Sequence, residues 1–296
     1  MIDNLLQLNK VFIQPLLHES EITLDILRLD VINETVSGNK WFKLKYYLQE
    51  AVQKRYATIA TFGGYFSNHI VATAYMCNAL GLKSIGIIRG ERPKILSHTL
   101  QNASKYGMQL IFMPRDKYKK KADIIESFTN ENWYWINEGG YGELGVKGAA
   151  EIFNWIDNSY SHIIATAGTG TMLAGLITAA KEHQQIIGVN VMKGNEALEN
   201  EIYFLLPEKD KNKKFILLNK YHFGGYAKCP NILIEFMNDI WNKYHLPTDF
   251  VYSAKSIYAA LDLMKEKYFY GGSKILVIHC GGLQGNNSLP KNILQF

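Results

Sequence analysis

Short apolar runs alternate with amphipathic segments along most of this chain. Thr23–Leu29, Thr58–Thr61, Ser84–Ile88, Gln109–Phe112, Ile163–Thr166, Ile186–Val191 and Ile275–His279 are of strand length and often β-branched. That pattern predicts strands covered on both sheet faces. Between them, Ile70–Leu80, Ser97–Tyr106, Gly148–Trp155 and Leu173–Glu182 repeat apolar residues at helical spacing. A further helix opens near Lys40, where Trp41, Leu44, Leu48, Ala51 and Val52 mark one buried face. The alternation predicts an α/β protein, two open α/β/α regions with mainly parallel sheets, divided near Gly145. The glycine-rich stretch Gly139-Gly140-Tyr141-Gly142 lies just before that division.

Composition narrows the classes. The 296 residues are 47% hydrophobic and 20% charged, with a formal net charge of +5. This suits a packed globule and is too weakly basic to argue for nucleic acid. The basic runs Lys117 to Lys121 and Lys209 to Lys214 read as solvated loops rather than anion surfaces, and Tyr118 is the only aromatic in either. Cys77, Cys229 and Cys280 are far apart and form no metal-type or disulfide pattern, which makes a reducing cytoplasm the expectation. The eight histidines show no paired ligand spacing, so no metal site is expected. Met1-Ile2-Asp3-Asn4 does not resemble a secretory leader, and no apolar run approaches about 18 residues, so no membrane partner is expected.

Three motifs carry candidate chemistry. In Ser37-Gly38-Asn39-Lys40, Ser37 or Asn39 is placed to cap the helix, and Lys40 falls in its first turn. The positive end of a helix disfavours an ammonium there, and Lys43 repeats the conflict. The same field favours a neutral amine, which is a nucleophile able to form a Schiff base. Next, Gly63-Gly64-Tyr65-Phe66-Ser67-Asn68-His69 follows a strand and opens a helix capped by Ser67 or Asn68. Free amides at such a start suit a carboxylate or a phosphate. Third, Gly168-Thr169-Gly170-Thr171 also joins strand to helix and suits a phosphate. It lacks the Gly-Lys-Ser/Thr of a Walker loop, and Leu173 replaces the third glycine of a dinucleotide loop. A lysine, an amide cap and a phosphate loop together propose pyridoxal 5′-phosphate.

These motifs, in order with Gly224-Gly225-Tyr226, Asp249-Phe250-Val251-Tyr252-Ser253-Ala254-Lys255 and His279-Cys280-Gly281-Gly282, resemble the 1-aminocyclopropane-1-carboxylate deaminase/D-cysteine desulfhydrase family. The resemblance spans nearly the whole chain. It implies the tryptophan-synthase-β-like fold (fold type II), with residues 1–47 and 146–296 as a large domain and 48–145 inserted as a small one. It implies Lys40 as Schiff-base lysine and proton carrier, with Lys43 also at the cofactor and Asn68 on the ring hydroxyl. Ser67, Asn68 and His69 would receive the substrate carboxylate, and Gly168, Thr169, Gly170, Thr171 and Met172 would cradle the phosphate. Tyr226 and Tyr252 would approach cofactor and substrate, and Ser253 would face the pyridine nitrogen.

The deaminase branch implies a glutamate where this chain has Ser253, and leucine where it has Cys280. The resemblance therefore favours β-elimination from a small (D-)amino acid such as D-cysteine, giving pyruvate, ammonia and hydrogen sulfide. The alternatives are 1-aminocyclopropane-1-carboxylate deamination to 2-oxobutyrate and ammonia, and a non-catalytic cofactor- or nucleotide-binding role. A homodimer is implied. Trp41 and Phe42, where the family has a small or polar residue and an arginine, and Ala254, in place of a glycine, depart from the pattern and are expected to reshape the pocket mouth.

Overall fold

The computed structural model describes residues 8–296, so the Met1–Asn4 segment lies outside the described residues. Ten strands form two sheets: β1 (Ile13–Glu19), β2 (Ile22–Arg28), β3 (Thr58–Gly63), β4 (Lys83–Arg89), β5 (Met108–Met113), β6 (Trp133–Ile136), β7 (His162–Ala167), β8 (Gln185–Asn190), β9 (Phe215–Leu218) and β10 (Lys274–His279). The larger sheet has the order β1-β2-β10-β7-β8-β9 and the smaller β5-β4-β3-β6. Every pairing is parallel except β1 with β2.

The helices are α1 (Asn39–Gln53), α2 (Asn68–Ala79), α3 (His98–Lys105), α4 (Arg115–Tyr118), α5 (Lys121–Ser127), α6 (Glu143–Ala150), α7 (Thr171–Ala179), α8 (Leu198–Leu205), α9 (Asn231–Tyr244) and α10 (Ser253–Lys265). All seven expected strands are present. Gly148–Trp155, expected as one helix, is the end of α6 running into a 3-10 turn. Among the described residues no helix is long and apolar enough to cross a membrane.

The largest core cluster joins Trp41, Phe42, Leu44 and Leu48 of α1 to Val146 and Ala149 of α6 and to Met172 and Leu173 of α7. Helix α1 also packs on α2, which flanks the smaller sheet. It is thus a shared wall between the two sheets. Trp41 and Phe42 are both buried in this core, and Phe42 packs edge-on to Trp155 at 5.5 Å. They are packing residues and do not form the pocket mouth. Val52 departs from the expected apolar face: it is 39% exposed, one position beyond Ala51 at the end of the stripe.

Parallel strands bring their carboxyl ends to one edge, where ligand sites form in open α/β sheets. Here both sheets turn that edge to a common cleft, whose lining includes Gly64 after β3, Arg89 of β4, Glu138 after β6, Ala167 and Gly168 at β7, Met192 after β8 and Cys280 after β10.

Candidate active site

The cleft holds a cavity of about 320 Å³. Of the expected site residues, Lys40, Lys43, Ser67, Asn68, His69, Gly168, Thr169, Gly170, Met172, Tyr226 and Tyr252 line it. Thr171 lies just behind the lining, fully buried, with its hydroxyl 3.1 Å from that of Thr169.

Lys40 is seated by the far end of the chain. The residue before α1 is neither Ser37 nor Asn39 but Gly38, at φ 65°, and no side chain caps the helix. A β-carbon at Gly38 would lie 1.8 Å from the carbonyl oxygen of Cys280. Glycine is required there both by that contact and by the left-handed backbone. The Asn39 amide donates to the same carbonyl at 3.2 Å, and the Ser37 hydroxyl donates to the carbonyl of Asp30 at 2.9 Å. With the turn so fixed, Lys40 Nζ donates to Asn39 Oδ1 at 2.6 Å and lies 5.7 Å from the centre of the Tyr252 ring. Burial lowers the Lys40 pKa against the opposing influence of Cys280 and Asp249. Lys43, 5% exposed, is lowered much further, by burial and then by the charge of Lys40. Lys43 has no hydrogen bond or ion pair through its side chain among the described residues. A buried cation of that kind is costly unless an anion joins it.

Two helix starts face this pair. Ser67 caps α2 as expected, its Oγ accepting from the Ile70 amide at 3.4 Å. The first amides of α2 and of α7 have no intrahelical acceptor. His69 is 2% exposed. The Thr61 hydroxyl donates to the Ile136 carbonyl at 2.7 Å, so it accepts from His69 Nε2 at 2.8 Å. That fixes the tautomer and leaves Nδ1 as a buried lone pair without a partner. Burial first, then the charges of Lys43 and Lys40, hold the His69 pKa well below the usual imidazole value.

The tyrosines stand together, with Tyr252 Oη 3.4 Å from Tyr226 Oη and the rings edge to face. Burial raises the pKa of both, so both hydroxyls keep their protons. Lys255 is fully buried and donates to the carbonyls of His222 and Gly225, both at 2.9 Å, which anchors the turn carrying Tyr226.

Ser253 is placed differently from expectation. It is 0% exposed and does not line the cavity. Its hydroxyl donates to Asp249 Oδ1 at 2.7 Å and accepts from the Asp249 amide at 2.7 Å. Asp249 also accepts from the amides of Val251, Tyr252 and Ser253, at 3.0, 2.9 and 2.7 Å. The serine is therefore committed to closing the first turn of α10. The neutral polar pair at the cavity wall is instead Cys280 and Thr166, with Sγ and Oγ1 at 3.3 Å. Burial pushes the Cys280 pKa up to about 11, so it is a thiol.

Sequence reasoning passed over Asp249, Gln284, Arg89 and Glu138. Gln284 Nε2 donates to Asn68 Oδ1 at 2.8 Å. An Asp four residues before a helical Ser was the available signal for Asp249. The other three depend on which strand ends meet.

The donor set fits pyridoxal phosphate. Two lysines share a cavity whose only carboxylate among the described residues, Glu138, is paired with Lys121 at 2.6 Å. Unbonded amides and two threonine hydroxyls at α7 suit the phosphate, and Lys43 supplies the missing countercharge. Known proteins agree. A family model described as pyridoxal-phosphate dependent enzyme matches residues 26–281. A Pyrococcus furiosus protein provisionally called 1-aminocyclopropane-1-carboxylate deaminase is 28% identical over 292 residues, covering 92% of this chain and 88% of its own. The mitochondrial bifunctional D-cysteine desulfhydrase/1-aminocyclopropane-1-carboxylate deaminase of Arabidopsis thaliana is 27% identical, covering 88% of this chain and 72% of its own. The crystal structure of an ACC deaminase homologue superposes with a TM-score of 0.81 at 25% identity, covering 96% of this chain and 95% of that one.

Proposed function

This chain belongs to the pyridoxal-phosphate dependent enzyme family, and on that footing we propose that it catalyses a D-cysteine desulfhydrase-like β-elimination from a small (D-)amino acid. Bound between the two sheets, the cofactor supplies an electron-accepting ring that stabilises negative charge at the substrate α-carbon. Lys40 holds its aldehyde, Gly168 to Met172 and Lys43 hold its phosphate, and Asn68, oriented by Gln284, donates to its ring hydroxyl. Ser67 and the amides at the start of α2 receive the substrate carboxylate. Lys40, whose pKa burial lowers, takes the α-proton. The sulfur departs with the electron pair of the Cβ–S bond, and the protonated Tyr252–Tyr226 pair is its proton source. Water converts the released aminoacrylate to pyruvate and ammonia, so that D-cysteine and water give pyruvate, ammonia and hydrogen sulfide. The same reading takes the enzyme to be a cytoplasmic homodimer, with residues 48–145 inserted as the smaller domain.

The observation that carries elimination over ring opening is the uncharged Cys280–Thr166 pair in the lining, with Ser253 turned away and the neighbouring Asp249 carboxylate held behind it by Ser253 and three amides. A ring nitrogen facing that uncharged pair would stay unprotonated, and the ring would be a weaker electron acceptor. Departure of a thiolate tolerates that better than cyclopropane opening does. The deaminase reading rests on the names of the relatives. Purified holoenzyme should release pyruvate and sulfide from D-cysteine, and Lys40→Ala should release neither. Formation of 2-oxobutyrate from 1-aminocyclopropane-1-carboxylate, without sulfide from D-cysteine, selects the deaminase instead.

A further inference from the structure

The basic run Lys117 to Lys121 is not simply a solvated loop. Tyr118 in its midst is 3% exposed, and with Arg89, Arg115, Lys119, Lys121 and Glu138 it lines a second cavity of about 690 Å³. Arg89 and Glu138 line the active-site cavity as well, so the two spaces adjoin. The junction lies close to the Ser67 turn. A β-carbon on Gly64, in the turn leading to Ser67, would lie 3.5 Å from Arg89 Nη2. The charges of Arg89 and Glu138 also act, in opposite directions, on the Tyr226 hydroxyl.

The charges here are unbalanced. Glu138 is taken by Lys121. Arg89, Arg115 and Lys119 have no hydrogen bond or ion pair through their side chains among the described residues. Beneath them, Arg89 and Lys121 lie over the Tyr118 ring at 5.9 and 5.6 Å. The Tyr118 hydroxyl is sealed from solvent, and burial first, then the neighbouring Glu138 carboxylate, raise its pKa, so it stays protonated. Three uncommitted cations line one concave surface beside the active-site cavity, with the buried Tyr118 ring as its floor. That set is complementary to an anion with several oxygens.

We infer that the substrate carries a second anionic group, a carboxylate, sulfonate or phosphate borne on its β-substituent, held by Arg89 at the junction with Arg115 and Lys119 beyond it. This rests on the elimination proposed above and narrows its substrate class to amino acids whose leaving group has an anionic end. The balance of the reaction is unchanged: the β-substituent leaves with the electron pair of its bond to Cβ and takes up one proton.

The test compares S-(2-carboxyethyl)cysteine with S-propylcysteine, in both enantiomers, on the holoenzyme, with pyruvate as readout. In parallel, calorimetry measures binding of 2-methylglutamate and 2-methylnorvaline, which have no α-proton to lose. The expected result is a preference for the anionic member on the order of tenfold or more in kcat/KM and in Kd, reduced at high salt. In Arg89→Gln, whose side chain is exposed, the preference should fall towards one through KM, with an unchanged thermal midpoint as the check on folding. Pyruvate from both compounds without preference would overturn the anionic subsite and leave elimination standing. Preferential binding of 2-methylglutamate without pyruvate from either compound would support the subsite and overturn elimination.

Discussion

Gln284 fixes the side-chain amide of Asn68, donating to its Oδ1 at 2.8 Å across the cleft between the two sheets. The oxygen is occupied, so Nδ2 is the end left to donate. Gly282 makes the approach possible, since a β-carbon there would lie 3.1 Å from Asp249 Cγ and 3.3 Å from Asn68 Nδ2. In Gln284→Leu the amide loses its partner. Cofactor affinity should fall about fivefold, the worth of one hydrogen bond of ~1 kcal/mol. An absorbance titration of the cofactor-free protein measures it, and an unchanged Kd would remove Gln284 from the site.

Lys43 should cost stability until an anion joins it. Its folded pKa lies below its unfolded value, so between the two the unfolded chain binds more protons. The stability of the cofactor-free protein should therefore rise with pH through that window, which extends up to the ordinary lysine pKa of about 10.4. Lys43→Met, similar in volume, should raise cofactor-free stability at pH 7 and flatten this rise, while weakening cofactor binding at least about tenfold. Urea denaturation at a series of pH values reads the first effect, and titration reads the second.

Ser253 and Cys280 separate by spectrum. Ser253→Ala removes a buried hydroxyl bonded to Asp249 and should cost about 1–2 kcal/mol of stability while leaving the bound cofactor's absorbance unchanged. Cys280→Ala should shift that absorbance at little cost in stability, since the thiol has only Thr166 as partner. The reverse pattern would return Ser253 to the ring.

The three strands absent from the sequence reading, β1, β6 and β9, are all edge strands. β1 is mostly exposed or half-buried, and the apolar runs of β6 and β9 are only four residues long, at the short limit for a strand. Pro15 interrupts β1, and the four residues of β9 follow a lysine-rich loop. Interior strands such as β7 and β10 are buried over most of their length and stand out in sequence. The site divides in the same way. Lys40, Ser67 and the loop from Gly168 lie at strand–helix turns whose chemistry is local, and they were legible. The commitment of Ser253 to Asp249 and the meeting of Arg89 with Glu138 are set by side-chain geometry and by the ends of separate strands. No spacing along the chain encodes them.

Gly38→Ala should be severe. The added carbon meets the Cys280 carbonyl at 1.8 Å in a left-handed conformation, and neither backbone can yield without moving Lys40. A loss of about 3 kcal/mol or more is expected, with no cofactor bound through Lys40. A thermal melt together with borohydride trapping checks both. Wild-type stability with normal trapping would contradict the contact.

The contact between Gly38 and Cys280 also sets an order of events in synthesis. The turn that seats Lys40 emerges from the ribosome well before its acceptor carbonyl, which follows β10. Such a pairing joins residues far apart in sequence, and contacts of that kind form slowly. A nascent chain therefore carries its reactive amine unassembled until Cys280 has been added. The lysine gains its setting only once that carbonyl is in place.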